Sequence, residues 1–462
     1  MASRKDLLKA YKFTSNRLVA ALVDRNPDRV DSPLRRIGMG TFASIMIGIV
    51  IMAGFGVVGL INPGNNTTWK EETSLVVIDS EAGQVFWYRN PVLHPMENIT
   101  SAKLASNGAE VRSLKSKSLT GVERGAPLGI TGAPRQLPNE EQLGLYPLQV
   151  CATAPTPDGE RHTTVRFGET QDEEEQQGPG TAVPVVLTDA EEHDYLVVDG
   201  TAHLIPRKDG EQTPALVVLL GYPTMTGAYG LLSTLPVGSE LSADRILDGL
   251  ETGQPSSNAA GEADTVGDLV HVRGGEATYL MLEDGLSRIT PLEHKAVEAD
   301  TNTTSIELSS AEVSSHLSAT LPDRSVADLP TTMPEVPSTP GIADGPLCAT
   351  WESAESGPVV ASDVTPPEVT TPNADPRLAD AVVSEPGRGA LLANSLTEAD
   401  PESAVLLVEG QRFGIPDAAS LKALGYGATP LDRVSPAVIN LIPMGLPGGT
   451  VLSIDAAGRS PE

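Results

Sequence analysis

The residues that could do chemistry are few and far apart. Seven histidines (His94, His162, His193, His203, His271, His294 and His316) are scattered along 462 residues, and the two cysteines, Cys151 and Cys348, form no CxxC pair. The densest polar cluster is Asp189-Ala-Glu-Glu-His-Asp194. It holds the donors a divalent metal takes, but in no ligand spacing of a known type, and it leads directly into an apolar run, so it reads as a solvated turn. A phosphate-cradling GxxxxGK[ST] loop is missing, down to the dipeptide Gly-Lys, and so are HExxH and GxSxG. Gly54-Phe55-Gly56-Val57-Val58-Gly59 matches GxGxxG. That fingerprint works only at a turn between a strand and a helix, with an acidic residue about 20 positions on. Here it lies inside an unbroken apolar run. The residues therefore assign no catalytic, cofactor-binding or metal-binding position, and no cofactor.

The apolar run itself, Ile37–Ile61, is the strongest signal in the chain: 25 residues without a charge. As a helix it measures about 37 Å at 1.5 Å per residue, against a hydrocarbon core of about 30 Å. It exceeds the apolar core of a signal peptide, follows 36 residues and precedes no A-x-A site, which makes it a signal anchor. A buried helix of a soluble protein is the alternative, and it fits poorly beside a basic flank. Arg35 and Arg36 abut the N-terminal end, whereas Lys70 is the one basic residue between Asn62 and Glu81. The N-terminus is thus expected in the cytosol and the remainder across the membrane. Gly40, Ser44 and Gly48 give the helix one face of small residues, open to a neighbouring helix. Before it, Leu7, Leu8, Tyr11, Leu18 and Leu22 fall largely on one helical stripe, with Ser3 and Asp6 placed to cap its start. That stripe suits the membrane surface or a partner equally well.

Charge divides the chain the same way. Residues 1–36 carry nine of the 32 basic and four of the 61 acidic residues, leaving 23 and 57, a net of −34, for the rest. So acidic a surface repels phosphate backbones and excludes nucleic-acid binding. The basic segment suits anionic lipid headgroups. Export makes a Cys151–Cys348 disulfide the favoured reading, with two unrelated buried thiols as the alternative. Closing so long a loop contributes roughly 5 kcal/mol at most in the chain-entropy model.

The exported part repeats a strand-turn-strand pattern. Tyr195–Pro206, Leu280–Thr290 and Val405–Pro416 are each an apolar run, an acid-Gly turn and a second apolar run, as in a β-hairpin, and Leu75–Trp87 resembles a fourth copy with a longer turn. Leu219-Leu-Gly-Tyr222 corresponds to Ala423-Leu-Gly-Tyr426, and Leu231–Gly238 to Val438–Gly445, each a helix stopped at Gly or Pro-x-Gly. Between the modules, Thr153–Gly180 with its acidic run Asp172–Glu175, Glu251–Asp264, Pro322–Pro346 and Pro358–Pro376 are expected as loops or linkers. Tyr146–Cys151 and Leu347–Trp351 are strand-like pieces of a central domain that joins distant parts of the chain.

Several stretches resemble the EccB family, the single-pass membrane component of the actinobacterial type VII (ESX) secretion system. They are Tyr11-x-Phe13, Arg17, Ala21-Leu-Val23 and Asp31-x-Pro-Leu-Arg35 before the span, then Leu128-Gly-Ile-x-Gly-Ala-Pro134, Cys348-x-x-Trp351 and Pro386-Gly-Arg-Gly-Ala390 after it. The resemblance implies an α/β (α+β) chain. A single transmembrane helix is followed by an elongated periplasmic part of four small repeat modules around a central β-rich domain with one disulfide. On that plan residues 1–36 are a cytosolic segment and 37–61 the span. Residues 62–135, 186–262, 263–325 and 401–462 are the repeat modules, and 136–185 with 326–400 form the central domain. It also implies a structural subunit of a hexameric inner-membrane complex with EccC (an FtsK/SpoIIIE-type ATPase), EccD, EccE and a mycosin protease of the MycP type, exporting WXG100 and PE/PPE substrates. Two rival expectations are a membrane-anchored ATP hydrolase, an activity ascribed to some family members, and a cell-wall-binding anchor.

Overall fold

The computed structural model describes residues 3–24, 33–61, 68–168, 178–208, 213–338, 341–393 and 403–460. The acidic run Asp172–Glu175 and the basic residues Arg25 and Arg29 lie outside them. The chain forms two compact units, one of residues 1–84, 88–93 and 111–124, the other of residues 85–87, 94–110 and 125–462.

The first unit opens with a helix over Arg4–Asp24. Ser3 and Asp6 cap it reciprocally: the Lys5 amide donates to Ser3 Oγ at 3.2 Å and the Ser3 amide to Asp6 Oδ2 at 3.2 Å. A second helix spans Pro33–Ile61. Further on, Ser74–Asp79 pairs in parallel with Val111–Leu114, from Val76 opposite Val111 to Asp79 opposite Leu114. The turn after Asp79 is held by its own carboxylate, which accepts from the amides of Glu81 and Ala82 at 3.0 and 3.1 Å and from Ser116 Oγ at 2.7 Å.

In the second unit three sheets share one plan. Their first strands are Val185–Thr188, Leu269–Val272 and Gly389–Ala393, their second Asp194–Val198, Thr278–Leu282 and Ala404–Val408, and their third Thr201–Ile205, Gly285–Ile289 and Gln411–Ile415. The three run antiparallel in succession. After a helix the chain returns parallel to the first strand, through Thr224–Thr226, Ile306–Leu308 and, in the last sheet, a single bridge from Asp432 to Leu392. Two of the three acid-Gly turns put both residues in left-handed backbone, Asp199 and Gly200 at φ 49 and 75, Glu409 and Gly410 at φ 54 and 73.

Four expectations change here. Thr153–Gly180 and Pro358–Pro376, expected as loops or linkers, hold the strands Thr163–Phe167 and Val359–Ala361. Tyr195, Leu280 and Val405 all lie in second strands, whereas Leu75–Asp79 is a first strand, so the copy at Leu75–Trp87 runs one strand early. The Glu251–Asp264 stretch is not a bare linker, since Pro255–Ala260 and Ala263–Thr265 pair as a ribbon that buries Ala260 and Ala263. Its Ser and Asn side chains hid that strand, which lies half in water.

A five-stranded central sheet collects distant segments in the order Val359–Ala361, Leu347–Trp351, Leu148–Ala152, Thr163–Phe167, Ala381–Val383. Its neighbours are antiparallel except the last pair. Central residues such as Val150 and Ala349 share a core with Leu187 and Leu231 of one module and with Leu407 and Val438 of another. A second core joins Leu196 and Leu220 to Leu269 and Leu292. A third joins Leu104 and Ile130 to Leu406 and Leu424.

This order exposes an internal duplication. Strands begin at 74, 148, 163 and 185, and again at 269, 347, 359 and 389. Each half therefore runs outer module, central strands (two in the first half, three in the second with Ala381–Val383), inner module; residues 94–135 share a core with the second inner module, and the second outer module shares one with the first inner module. The repeated Leu-Gly-Tyr carries the same exchange in hydrogen bonds. Tyr222 OH donates to Pro334 O at 2.7 Å and Tyr426 OH to Pro138 O at 2.8 Å, so each inner module pins the connector of the opposite half. Burial pushes Tyr222 up to about 12 and raises Tyr426 further, so both stay protonated donors. Replacing either by Phe leaves a carbonyl short of its donor at a cost of about 1 kcal/mol. Because the two bonds share no partner, the losses should add in denaturant unfolding of the single and double variants. Unchanged midpoints would show that the pins are dispensable.

Candidate functional site

Three features stand out as places where this fold meets something other than itself. The first is the long helix. Its Gly38–Val57 stretch has a mean hydropathy of 2.0 and none of it is buried. Phe42, Val50, Met52 and Phe55 are 66% exposed or more. An apolar surface that continuous is covered by lipid or by other apolar helices. Gly54–Gly59 is continuous helix with no strand before it, so the dinucleotide fingerprint has none of its working geometry. At Gly40 and Gly48 an added Cβ would meet nothing within 4 Å, which leaves the small-residue face free.

The second is the staple. Cys151 and Cys348 stand directly opposite each other in the central sheet, with Cα atoms 4.0 Å apart, and are bonded. Both are fully buried beside Ala361 and Val364. The segment between them, a sequence separation of 197, contains the inner module of one half and the outer module of the other.

The third is a set of polar clusters. At the DAEEHD turn, ligand-capable atoms of Asp189, Glu191 and His193 lie within 4.8 Å of one another. Asp189 is committed to the turn: Oδ1 accepts from the amides of Glu191 and His193 at 2.9 and 2.8 Å, and Oδ2 lies 3.0 Å from His193 Nδ1. The next carboxylate, Asp194, pairs with Arg207 at 3.0 Å and accepts from Thr188 Oγ1 at 2.7 Å. Sequence spacing missed another cluster. His271 Nδ1 and His294 Nε2 converge on one hydroxyl, Ser305 Oγ, at 3.1 and 2.9 Å. The three residues sit on a first strand, the following helix and the approach to the fourth strand, so only the parallel return brings them together.

The chain matches the family model described as "Type VII secretion system ESX-1, transport TM domain B" over residues 1–460. It belongs to the EccB family. Similar curated relatives are the "ESX-1 secretion system ATPase EccB1" of Mycolicibacterium smegmatis (strain MKD8), 24% identical over 299 residues, and of Mycobacterium tuberculosis (strain ATCC 25618 / H37Rv), 23% identical over 298 residues. Each match covers 63% of this chain and 60% of the relative's length. Similar solved folds are a chain of an intact ESX-5 inner membrane complex and one of an EccB3 dimer from the ESX-3 core complex. The first has a TM-score of 0.61 at 22% identity, covering 100% of this chain and 95% of that one. The second scores 0.60 at 21%, covering 83% and 99%.

Two sequence signatures of this EccB chain now have physical reasons. In Leu128–Pro134, the Ile130 amide donates to Ser101 Oγ at 2.9 Å, Asn98 Nδ2 to Ile130 O at 2.9 Å, and Thr100 Oγ1 to Pro134 O at 2.5 Å. The stretch is clamped along the start of the Ile99–Ala105 helix. Gly129, at φ 138, lies so close to that helix that an added Cβ would stand 2.8 Å from Glu97 Cβ. In the Pro-x-Gly elements, Gly238 and Gly445 lie flat on the rings of His203 and Phe413, where any Cβ would overlap the ring. The third sheet places Ser287 where the others place a ring, and Ser318 stands where they need glycine.

Burial pulls His294 down to about 4, against 6.5 unperturbed, so it is neutral in the fold at neutral pH. The folded state then binds fewer protons than the unfolded one between those values. Stability is full above about pH 6.5 and falls toward pH 4 by up to about 1.4 kcal/mol per pH unit. The difference in unfolding midpoint between the natural chain and His294→Gln, followed from pH 7 to 4, should shrink across that window. A constant difference would remove His294 from the acid response.

Proposed function

We propose that this chain is a structural subunit of an ESX inner-membrane secretion complex. The observation that carries the proposal is the family match along residues 1–460 combined with an unburied apolar helix at Gly38–Val57. In this reading residues 1–36 are cytosolic and meet lipid headgroups or cytosolic partners, 37–61 span the membrane, and the disulfide-stapled remainder is periplasmic. The basic flank at Arg35 and Arg36 supports that orientation. The modules are best divided where their sheets begin, so the last starts at Gly389 rather than at 401 and the central domain ends before it. Partners are EccC, EccD, EccE and MycP-type subunits and further copies of this chain, six per complex, supporting export of WXG100 and PE/PPE proteins. The similar ESX-5 chain belongs to an inner membrane complex and the similar EccB3 chain to a dimer, which supports the reading.

Affinity purification of the full chain from its native membranes should recover a large complex containing an FtsK/SpoIIIE-type ATPase. Deleting residues 1–36 should shift it to smaller size on a native gel. Recovery of the chain alone would sink the proposal.

A second reading has one observation in its favour, the word ATPase in the names of the curated relatives. The sequence offers no phosphate loop for it. Purified full chain should turn over ATP no faster than its preparation blank. Turnover abolished by a single acidic substitution would favour the hydrolase instead.

A further inference from the structure

The second residue of each third strand is Ala202, Leu286 or Arg412, and each bridges in parallel to an aliphatic residue, Val237, Leu317 or Met444. Two of the three positions are apolar, so the module needs no charge there. Arg412 breaks the pattern. It lines a hollow of about 300 Å³ with Val405, Ile415, Met444, Thr450 and Val451. That volume is at the small end of the range for ligand sites. One wall is the third strand. The other is the Pro447–Val451 loop, which bulges away between two anchors, Gly445 N to Arg412 O at 3.0 Å and Leu452 N to Gly414 O at 2.8 Å. Consecutive left-handed glycines, Gly448 and Gly449 at φ 65 and 76, make the bulge. Met444 is 60% exposed at the rim.

Beside the hollow the half-buried Arg412 side chain is short of partners. Nη1 donates to Asn440 Oδ1 at 2.9 Å, Nε is buried without an acceptor, and no described carboxylate pairs with it. Burial holds its affinity for the proton below the ordinary arginine value, with no anion to offset the loss of water. A half-buried cation beside apolar side chains, with its Nε buried and no carboxylate among the described residues paired to it, can take an anion from outside. The equivalent hollow of the first inner module is also about 300 Å³, lined by Tyr195, Ala202, Tyr229 and Val237, but Asp189 and Glu191 stand at its rim. That hollow repels what the other attracts.

We infer that the Arg412 hollow is a binding site for a small aliphatic carboxylate, its chain against Val405, Ile415, Met444 and Val451 and its head on the guanidinium. The inference stands apart from the role in secretion proposed above.

Hexanoate is the probe, titrated calorimetrically into the full chain in lipid nanodiscs with empty nanodiscs as the blank. One saturable site per chain is expected, with hexanol bound at least about tenfold more weakly, because a charge-assisted hydrogen bond is lost. Arg412→Leu installs the residue that the Leu286 position already accepts, and it should weaken hexanoate by about tenfold or more while leaving hexanol unchanged. Met444→Asp, on an exposed side chain, should weaken hexanoate as well. Equal binding of hexanol and hexanoate, indifference to either substitution, or no saturation by about 10 mM would each overturn the site.

Discussion

Everything in the larger compact unit depends on one antiparallel pairing, Leu148–Ala152 against Leu347–Trp351. Those strands come from opposite halves of a duplicated chain, and all but Trp351 are buried on both faces. Around them residues 94–135 and the second outer module share cores with the inner modules of the opposite halves. Each strand has one neighbour close in sequence, Thr163–Phe167 or Val359–Ala361, but nothing local joins the two pairs to each other. The Cys151–Cys348 bond makes that one non-local contact permanent. It removes from the unfolded ensemble every conformation in which the halves drift apart.

The membrane end obeys a simpler constraint. In hydrocarbon a backbone must satisfy its own hydrogen bonds, and the Pro33–Ile61 helix does so, exposing apolar side chains along Gly38–Val57. The acidic majority of the chain and its basic leading segment lie on either side of that helix in sequence. In EccB the two ends differ in what limits them. The helix is limited by solvent, the modules by topology.

Much of this was legible in the sequence, for definite reasons. The anchor was legible because 25 uncharged residues have few other readings, and the hairpins because an acid-Gly turn between apolar runs leaves few alternatives. First strands were harder. Val185–Thr188 is four residues without alternation, and Gly389–Ala393 is Gly-Ala-Leu-Leu-Ala, a composition as suited to helix as to strand. Shared Leu-Gly-Tyr motifs showed a repeat but not its purpose, since the carbonyls that Tyr222 and Tyr426 hold belong to connectors more than 100 residues away. The convergence of His271 and His294 on Ser305 was hidden for the same reason. Spacing along the chain reports only what lies on one element.

Crossed pairing of the modules also sets a schedule. Leu104 and Ile130 are made early, but their apolar partners Leu406 and Leu424 are made near the end of synthesis. Until then that greasy surface has no lid, and the same wait is imposed on the first inner module until Leu269 and Leu292 arrive. Maturation is therefore tied to completion of synthesis rather than proceeding piece by piece. A truncation near the C-terminus would injure most the segment made first.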